Sequence, residues 1–226
     1  MFILATILTF AITFLIGSIP WGVVVSRVVY KDDVRRYGSG NIGTTNMIRA
    51  FGKPAGYAVF VLDFAKGIVS GFLALGIFRL FVASTMSTHG MVDVAGQALY
   101  GSDCKNIMVC ASFCACIWGH IFSPFLKLHG GKGIATAVGN EFVSLTPVGA
   151  VIELVVFGVF VAWTKYVSAG SIAASIACLP ISLVMFWTNP IATGFMWIGA
   201  FTVLWAHRDN IGRLRRGEEH RIGSKR

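Results

Sequence analysis

Ile3-Leu-Ala-Thr-Ile-Leu-Thr-Phe-Ala-Ile-Thr-Phe-Leu-Ile-Gly-Ser-Ile-Pro-Trp-Gly-Val-Val-Val-Ser-Arg-Val28 carries one ionisable side chain, Arg27, and that near its end. A helix needs about 20 apolar residues to cross roughly 30 Å of hydrocarbon, so this run is long enough to span a bilayer. Six more apolar runs follow, at residues 55–83, 107–122, 134–145, 148–163, 169–187 and 191–206, and the one at 134–145 is short for a full crossing. Composition agrees: of 226 residues, 55% are hydrophobic and only 13% charged, with a mean hydropathy of +0.73. Soluble domains carry about a quarter of their residues charged, so the deficit of charge decides the class. The chain is predicted to be an all-α integral membrane protein of about seven transmembrane helices, one polytopic domain over residues 1–226.

The net charge of +9 is unevenly spread. Arg27, Lys31, Arg35, Arg36, Arg49 and Lys53 follow the first run, Lys127 and Lys132 the third, Lys165 the fifth, and the tail from Arg208 onward is strongly basic. The connection from 84 to 105 has no Lys or Arg before Lys105 and reads as an outside loop. Cations accumulate on the cytoplasmic side, which predicts an outside N-terminus and a cytosolic C-terminus. Basic residues beside apolar runs point to membrane lipids and anionic substrates, and not to nucleic acid. No cation precedes the first run and no small-residue cleavage site ends it, so a cleaved signal peptide is not expected. The five cysteines match neither a disulfide framework nor a zinc pattern. Cys110, Cys114, Cys116 and Cys178 lie inside apolar runs, where a thiol acts as a small apolar group, and Cys104 falls in the presumed outside loop.

Two polar runs stand out against this background. Gly38-Ser39-Gly40-Asn41-Ile42-Gly43-Thr44-Thr45-Asn46, followed by Arg49, and Gly130-Gly131-Lys132-Gly133, followed by Thr136, are glycine-dense, carry a cation and open onto a helix. Glycine lets a backbone turn its N–H groups outward, a helix N-terminus adds partial positive charge, and Arg or Lys supplies the rest of an oxyanion site. Arg49 has the planar fork that matches two phosphate oxygens. Residues 44–52 read as a short surface helix, capped by Thr or Asn and stopped by Gly52, with Thr45, Asn46 and Arg49 on one face. The Walker spacing is absent, so nucleotide binding is unsupported.

Asp63 and Lys66 lie three apart inside an apolar run and can pair; ionisable groups there are expensive and seldom idle. His120 and His207 stand at the ends of runs, where a general base or a loop-holding histidine fits equally. Asn210, three residues after His207, reaches the same pocket if the tail is helical. His89, His129 and His220 read as solvated. No carboxylate pair stands out, which argues against a metal site, and no histidine has an aspartate five residues on.

Taken in order, the chain resembles the acyl-phosphate-dependent glycerol-3-phosphate acyltransferase family of bacteria, the PlsY type. The matching pieces are Gly17-Ser-Ile-Pro20, the 38–46 run with Arg49, Leu62-Asp-Phe-Ala-Lys-Gly67, Gly119-His-Ile-Phe122, the 130–133 run with Thr136, and His207-Arg-Asp-Asn-Ile211. The resemblance implies a seven-span enzyme of the bacterial cell membrane with a cytosol-facing site. It implies transfer of a fatty acyl group from acyl phosphate to glycerol 3-phosphate, giving lysophosphatidic acid and inorganic phosphate, the first acylation of phospholipid synthesis. CoA, acyl carrier protein and any cofactor are not required. By motif, Ser39, Gly40, Asn41, Thr45, Asn46 and Arg49 form a first phosphate loop, and Lys132, with Gly131, Gly133 and Thr136, a second. Lys66, His120, His207 and Asn210 line or support the pocket; Arg49, Lys132, His120, His207 and Asn210 carry the catalytic roles. A transporter of organic phosphates is the runner-up, but transporters place polar groups near the midplane of repeated halves, and no repeat is visible here.

Overall fold

Proline at position 20 divides the first apolar run in two. Its ring fixes φ and removes the N–H that would continue the helical ladder, so α1 (Phe2–Ser18) ends and α2 (Trp21–Val29) begins anew. The computed structural model describes residues 1–89 and 94–222. A 3-10 turn at Val34–Arg36 leads to α3 (Thr44–Phe51) and α4 (Lys53–His89), and α5 (Val94–Ile121) is followed by a second such turn at Pro124–Leu126. Then come α6 (Ile134–Ser144), α7 (Thr146–Thr164), α8 (Val167–Met185), α9 (Pro190–Ala206) and α10 (Arg208–Arg216). Among the described residues there is no strand.

Five stretches are long and apolar enough to cross a bilayer: Phe2–Val29, Lys53–Ser84, Gly101–Leu126, Thr146–Thr164 and Val167–Met185. α9 is apolar but shorter, and α6 has 11 residues, about 16 Å of helix at 1.5 Å per residue. Every apolar run of the sequence has become helix. The stretch read as an outside loop has not become one: α4 runs on to His89 and α5 starts at Val94, so helix fills most of 84–105. Lack of cations reports which side a segment occupies, not its conformation, and a helix satisfies its own backbone in water as well as in lipid. Residues 90–93 lie outside the described residues. Cys104 accordingly sits within α5 and is buried.

α5 is the hub. It packs against α1, α4, α6 and α9, while α7 and α8 pair with each other and join through α6 and α9. Its buried face presents Cys110, Phe113 and Ile117 to Ala137 of α6 and Met196, Ala200 and Val203 of α9. Where α1 crosses α5 the backbones touch: a Cβ on Gly17 would lie 2.2 Å from the Cys116 carbonyl oxygen, and one on Gly119 2.1 Å from that of Phe14. Small residues at such a crossing let dispersion act where lipid removes the hydrophobic driving force. Outward-facing Ile3, Ile7, Val148, Val155 and Trp163 are exposed, as lipid contact requires.

The break between α1 and α2 leaves carbonyls without helical partners, and distant side chains supply them. Ser123 Oγ donates to the Ser18 carbonyl at 2.7 Å, and Lys66 Nζ to that of Ile19 at 2.9 Å. At the same end of the bundle, Val23, Val34, Ile42, Met47, Val59 and Leu126 form a second core that seats the 34–52 segment. Arg27 and Arg35 both bind Asp33, at 2.9 and 2.6 Å. The tail reaches this end too, since the Ile222 N–H donates to the Lys165 carbonyl at 2.8 Å.

Candidate active site

Four segments meet at that end: α3, the 130–133 loop, the α9–α10 junction and the tail. α3 carries Arg49 in its last turn, and is stopped as expected by Gly52, at φ +88°. Its N-cap is Gly43, not the Thr or Asn expected, and no side chain caps it. Lys132 Nζ donates to Asn210 Oδ1, and Asn210 Nδ2 donates to Glu219 Oε1 at 3.0 Å. Arg213 Nε donates to Glu219 Oε2 at 2.8 Å, one turn along α10 from Asn210. Burial, with repulsion from Arg213 and Arg49, brings the Lys132 ammonium down from 10.5 to about 8. Arg49, Lys132 and Arg213 thus face one region from three segments, with Glu219 and Asp209 opposing them. Three cations facing one region raise the potential there and favour an incoming anion.

His207 borders this cluster. Its Nδ1–H donates to the Val203 carbonyl at 2.8 Å, which leaves Nε2 as an acceptor. Burial and the Lys132 charge depress it from 6.5 to about 4, so the ring is neutral at physiological pH.

Beneath lies a drier network. Lys66 Nζ pairs with Asp63 Oδ1 at 2.8 Å, as its spacing predicts, and donates to His120 Nδ1 at 2.9 Å as well as to Ile19. Nδ1 of His120 is therefore an acceptor, and Nε2 carries the proton of the neutral ring. Thr136 Oγ1 stands 3.4 Å from His120 Nδ1, within this network. With its ammonium engaged by three partners and 5% exposed, Lys66 is held inside this network.

The glycine runs serve close packing as much as ligands. Gly130 and Gly131 donate their N–H groups to the Ile121 and His120 carbonyls, at 2.9 and 3.0 Å. A Cβ on Gly131 would sit 2.1 Å from His120 Nε2. Gly133, at φ +84°, turns the chain into α6 as its N-cap. In the first loop, Asn46 is the hub: Nδ2 donates to the carbonyls of Val34, Tyr37 and Asn41, and Oδ1 accepts from the Ser39 N–H at 3.0 Å. Asn41 Oδ1 accepts from the Gly43 N–H at 2.9 Å, and the Gly40 N–H donates to the Tyr37 carbonyl at 2.9 Å. Asn41 and Asn46 thus shape the loop, while Ser39 is exposed and Thr45 is half-buried in the first turn of α3.

Sequence reading missed Arg213 and Glu219, which resemble the other tail charges; their spacing from Asn210 on a helical tail was the available signal. It also missed a carboxylate pair, because Glu141 and Glu153 meet only when α6 packs on α7. His129 is exposed and its Nδ1 contacts the Lys127 carbonyl at 2.6 Å; His220 is exposed too.

Comparison with known proteins covers nearly the whole chain. The family model described as glycerol-3-phosphate acyltransferase matches residues 7–217. Glycerol-3-phosphate acyltransferase 2 of Bacillus anthracis is 37% identical over 216 residues, covering 96% of this chain and 98% of its own. The glycerol-3-phosphate acyltransferase of an Anaeromyxobacter species is 37% identical over 210 residues, 92% of each chain. The crystal structure of PlsY, an integral membrane glycerol 3-phosphate acyltransferase, in its glycerol 3-phosphate form, superposes with a TM-score of 0.75 at 30% identity and covers 96% of both chains. Its lysophosphatidic acid form gives a TM-score of 0.72, covering 96% of this chain and 95% of that one. With a family match over nearly every residue, relatives above 30% identity and a like fold, the chain belongs to the glycerol-3-phosphate acyltransferase family.

Proposed function

We propose that the protein transfers a fatty acyl group from acyl phosphate to glycerol 3-phosphate, giving lysophosphatidic acid and inorganic phosphate. The whole chain acts as one catalytic unit in the bacterial cell membrane, with seven membrane segments, an outside N-terminus and a site open to the cytosol. The observation that carries this reading is the convergence of Arg49, Lys132 and Arg213 beside neutral His207 and Asn210.

The reaction joins two anions, so positioning and charge neutralisation dominate it. The Arg49 fork, with the Ser39 and Thr45 hydroxyls at its loop, holds one phosphate; Lys132 and Asn210 hold the other. Attack of the glycerol hydroxyl oxygen on the acyl carbon forms the ester C–O bond. The bond from acyl carbon to phosphate oxygen breaks, and the hydroxyl proton passes to the departing phosphate, so no protein base is consumed. His207, with Nε2 free to accept, orients the hydroxyl. The Asp63–Lys66–His120 network fixes the floor beneath. Relatives named as glycerol-3-phosphate acyltransferases support the acceptor, and the absence of a nucleotide loop supports a small phosphate donor.

Purified protein given acyl phosphate and labelled glycerol 3-phosphate should form labelled lysophosphatidic acid, unaffected by CoA or magnesium and inhibited by inorganic phosphate. Efficient synthesis from acyl-CoA with acyl phosphate inert would overturn the donor assignment. Transport of label into liposomes without a new lipid would overturn the enzyme assignment.

A further inference from the structure

Three side chains with no part in that reaction meet in the apolar interior between α6, α7 and α8. One carboxylate oxygen each from Glu141 and Glu153, and Cys178 Sγ, lie within 4.8 Å of one another. Both glutamates are 3% exposed and Cys178 is 1% exposed. Glu141 Oε2 and Glu153 Oε1 have no hydrogen-bond partner. A buried acceptor left unpaired costs about 1–3 kcal/mol, and two carboxyls side by side in an apolar interior must share a proton or a cation to avoid repulsion. A cation between them removes both penalties. Beside the three runs a cavity of about 20 Å³, walled by Phe113, Phe157 and Ala200 among others, with room for about one water.

We propose that Glu141, Glu153 and Cys178 form a buried site for a borderline-soft divalent metal ion of the Zn²⁺ class. One oxygen of each carboxylate, the Cys178 thiolate and a water in the adjoining cavity complete a tetrahedron. Sulfur among the donors favours Zn²⁺ or Co²⁺ over Mg²⁺ and Ca²⁺, which take oxygen ligands. Bonds of about 2.0–2.3 Å in a tetrahedron set donors roughly 3–4 Å apart, reached here by small side-chain rotations. Binding releases the thiol proton, and any carboxyl proton, to solvent. The ion would brace α6, whose N-terminus presents Lys132, against the α7–α8 pair.

The test uses untagged full-length protein in detergent, stripped by a chelator and titrated with Co²⁺ as the probe. About one Co²⁺ per chain should bind with a thiolate-to-metal charge-transfer band, and Zn²⁺ should abolish that band by displacement. Cys178→Ser should lose the band, and Glu141→Gln and Glu153→Gln should each weaken binding by about tenfold or more, as loss of a ligand shell contact does. Wild-type protein without the band overturns the site, whatever the variants do. Equal Co²⁺ binding by wild type and all three variants overturns it as well, and leaves the carboxyls as a pair bridged by a proton.

Discussion

In the proposed reaction Arg49 and Lys132 present different chemistry to a phosphate, and substitution should separate them. Arg49→Lys keeps charge but loses the two-pronged fork, and acyl transfer should fall about a hundredfold. Lys132→Ala removes one preorganised charge, and kcat should drop by about 10²–10³, or roughly 3–4 kcal/mol. Arg215→Ala is the control: this side chain is exposed on α10 and its loss should be mild in the same assay. Lys132 also sets a pH limit. Its folded pKa of about 8 lies below 10.5, so as pH rises through about 8 the ammonium is lost and with it the affinity for phosphate. kcat/KM for glycerol 3-phosphate should therefore fall above that pH, and Lys132→Arg, always charged, should flatten the limb. Stability moves the other way, because burying the charged form is what lowers the pKa: the penalty is present below about 8 and relieved between there and 10.5. Residues of this kind were legible because cation, glycine and helix start coincide in sequence. Arg213 and Glu219 were not, since one charge among many in a basic tail has no local mark. Nor were the loop-shaping role of Asn46 and the partners of Lys66 beyond Asp63, which lie up to 54 residues away.

Helix positions were readable from the apolar runs: six of the seven each match one helix within a few residues at most ends, and Pro20 splits the first into α1 and α2. What failed was the stretch 84–105, where the signal was an absence of cations before Lys105, and the cap of α3, where a glycine stands in place of the expected Thr or Asn. Crossings could not be read at all, because which glycine meets which backbone depends on packing. They can be probed. Gly119→Ala drives a methyl into the Phe14 carbonyl across the α1–α5 contact, and overpacking of this kind costs about 1–3 kcal/mol. Thermal unfolding in detergent should register it. Gly131→Ala pushes instead on His120 Nε2. It should lower acyl transfer by about tenfold or more with little change in unfolding, because the strain falls on a loop beside the site. Equal effects of the two on stability would contradict this division.

At the scale of the whole molecule, charge asymmetry is the guide to orientation. Reporters inserted after Met91 and after Arg226, both outside the described residues, should report opposite faces of the membrane; the same face for both would refute the seven-span arrangement. The contacts that hold the molecule together are long in sequence, and this bears on its biogenesis. Translation delivers the chain from the N-terminus, so the broken first segment enters the membrane with the Ser18 carbonyl bare and that of Ile19 held only by the Trp21 N–H. Lys66 arrives 47 residues after Ile19, and Ser123 follows Ser18 by 105. Until Ser123 has emerged, the Ser18 oxygen needs water or the insertion machinery as its partner, since hydrocarbon offers none. The leading segment is thus an unfinished part that its successors complete. A nascent chain stalled before Ser123 should stay bound to the insertion site, and one released past it should move off into lipid.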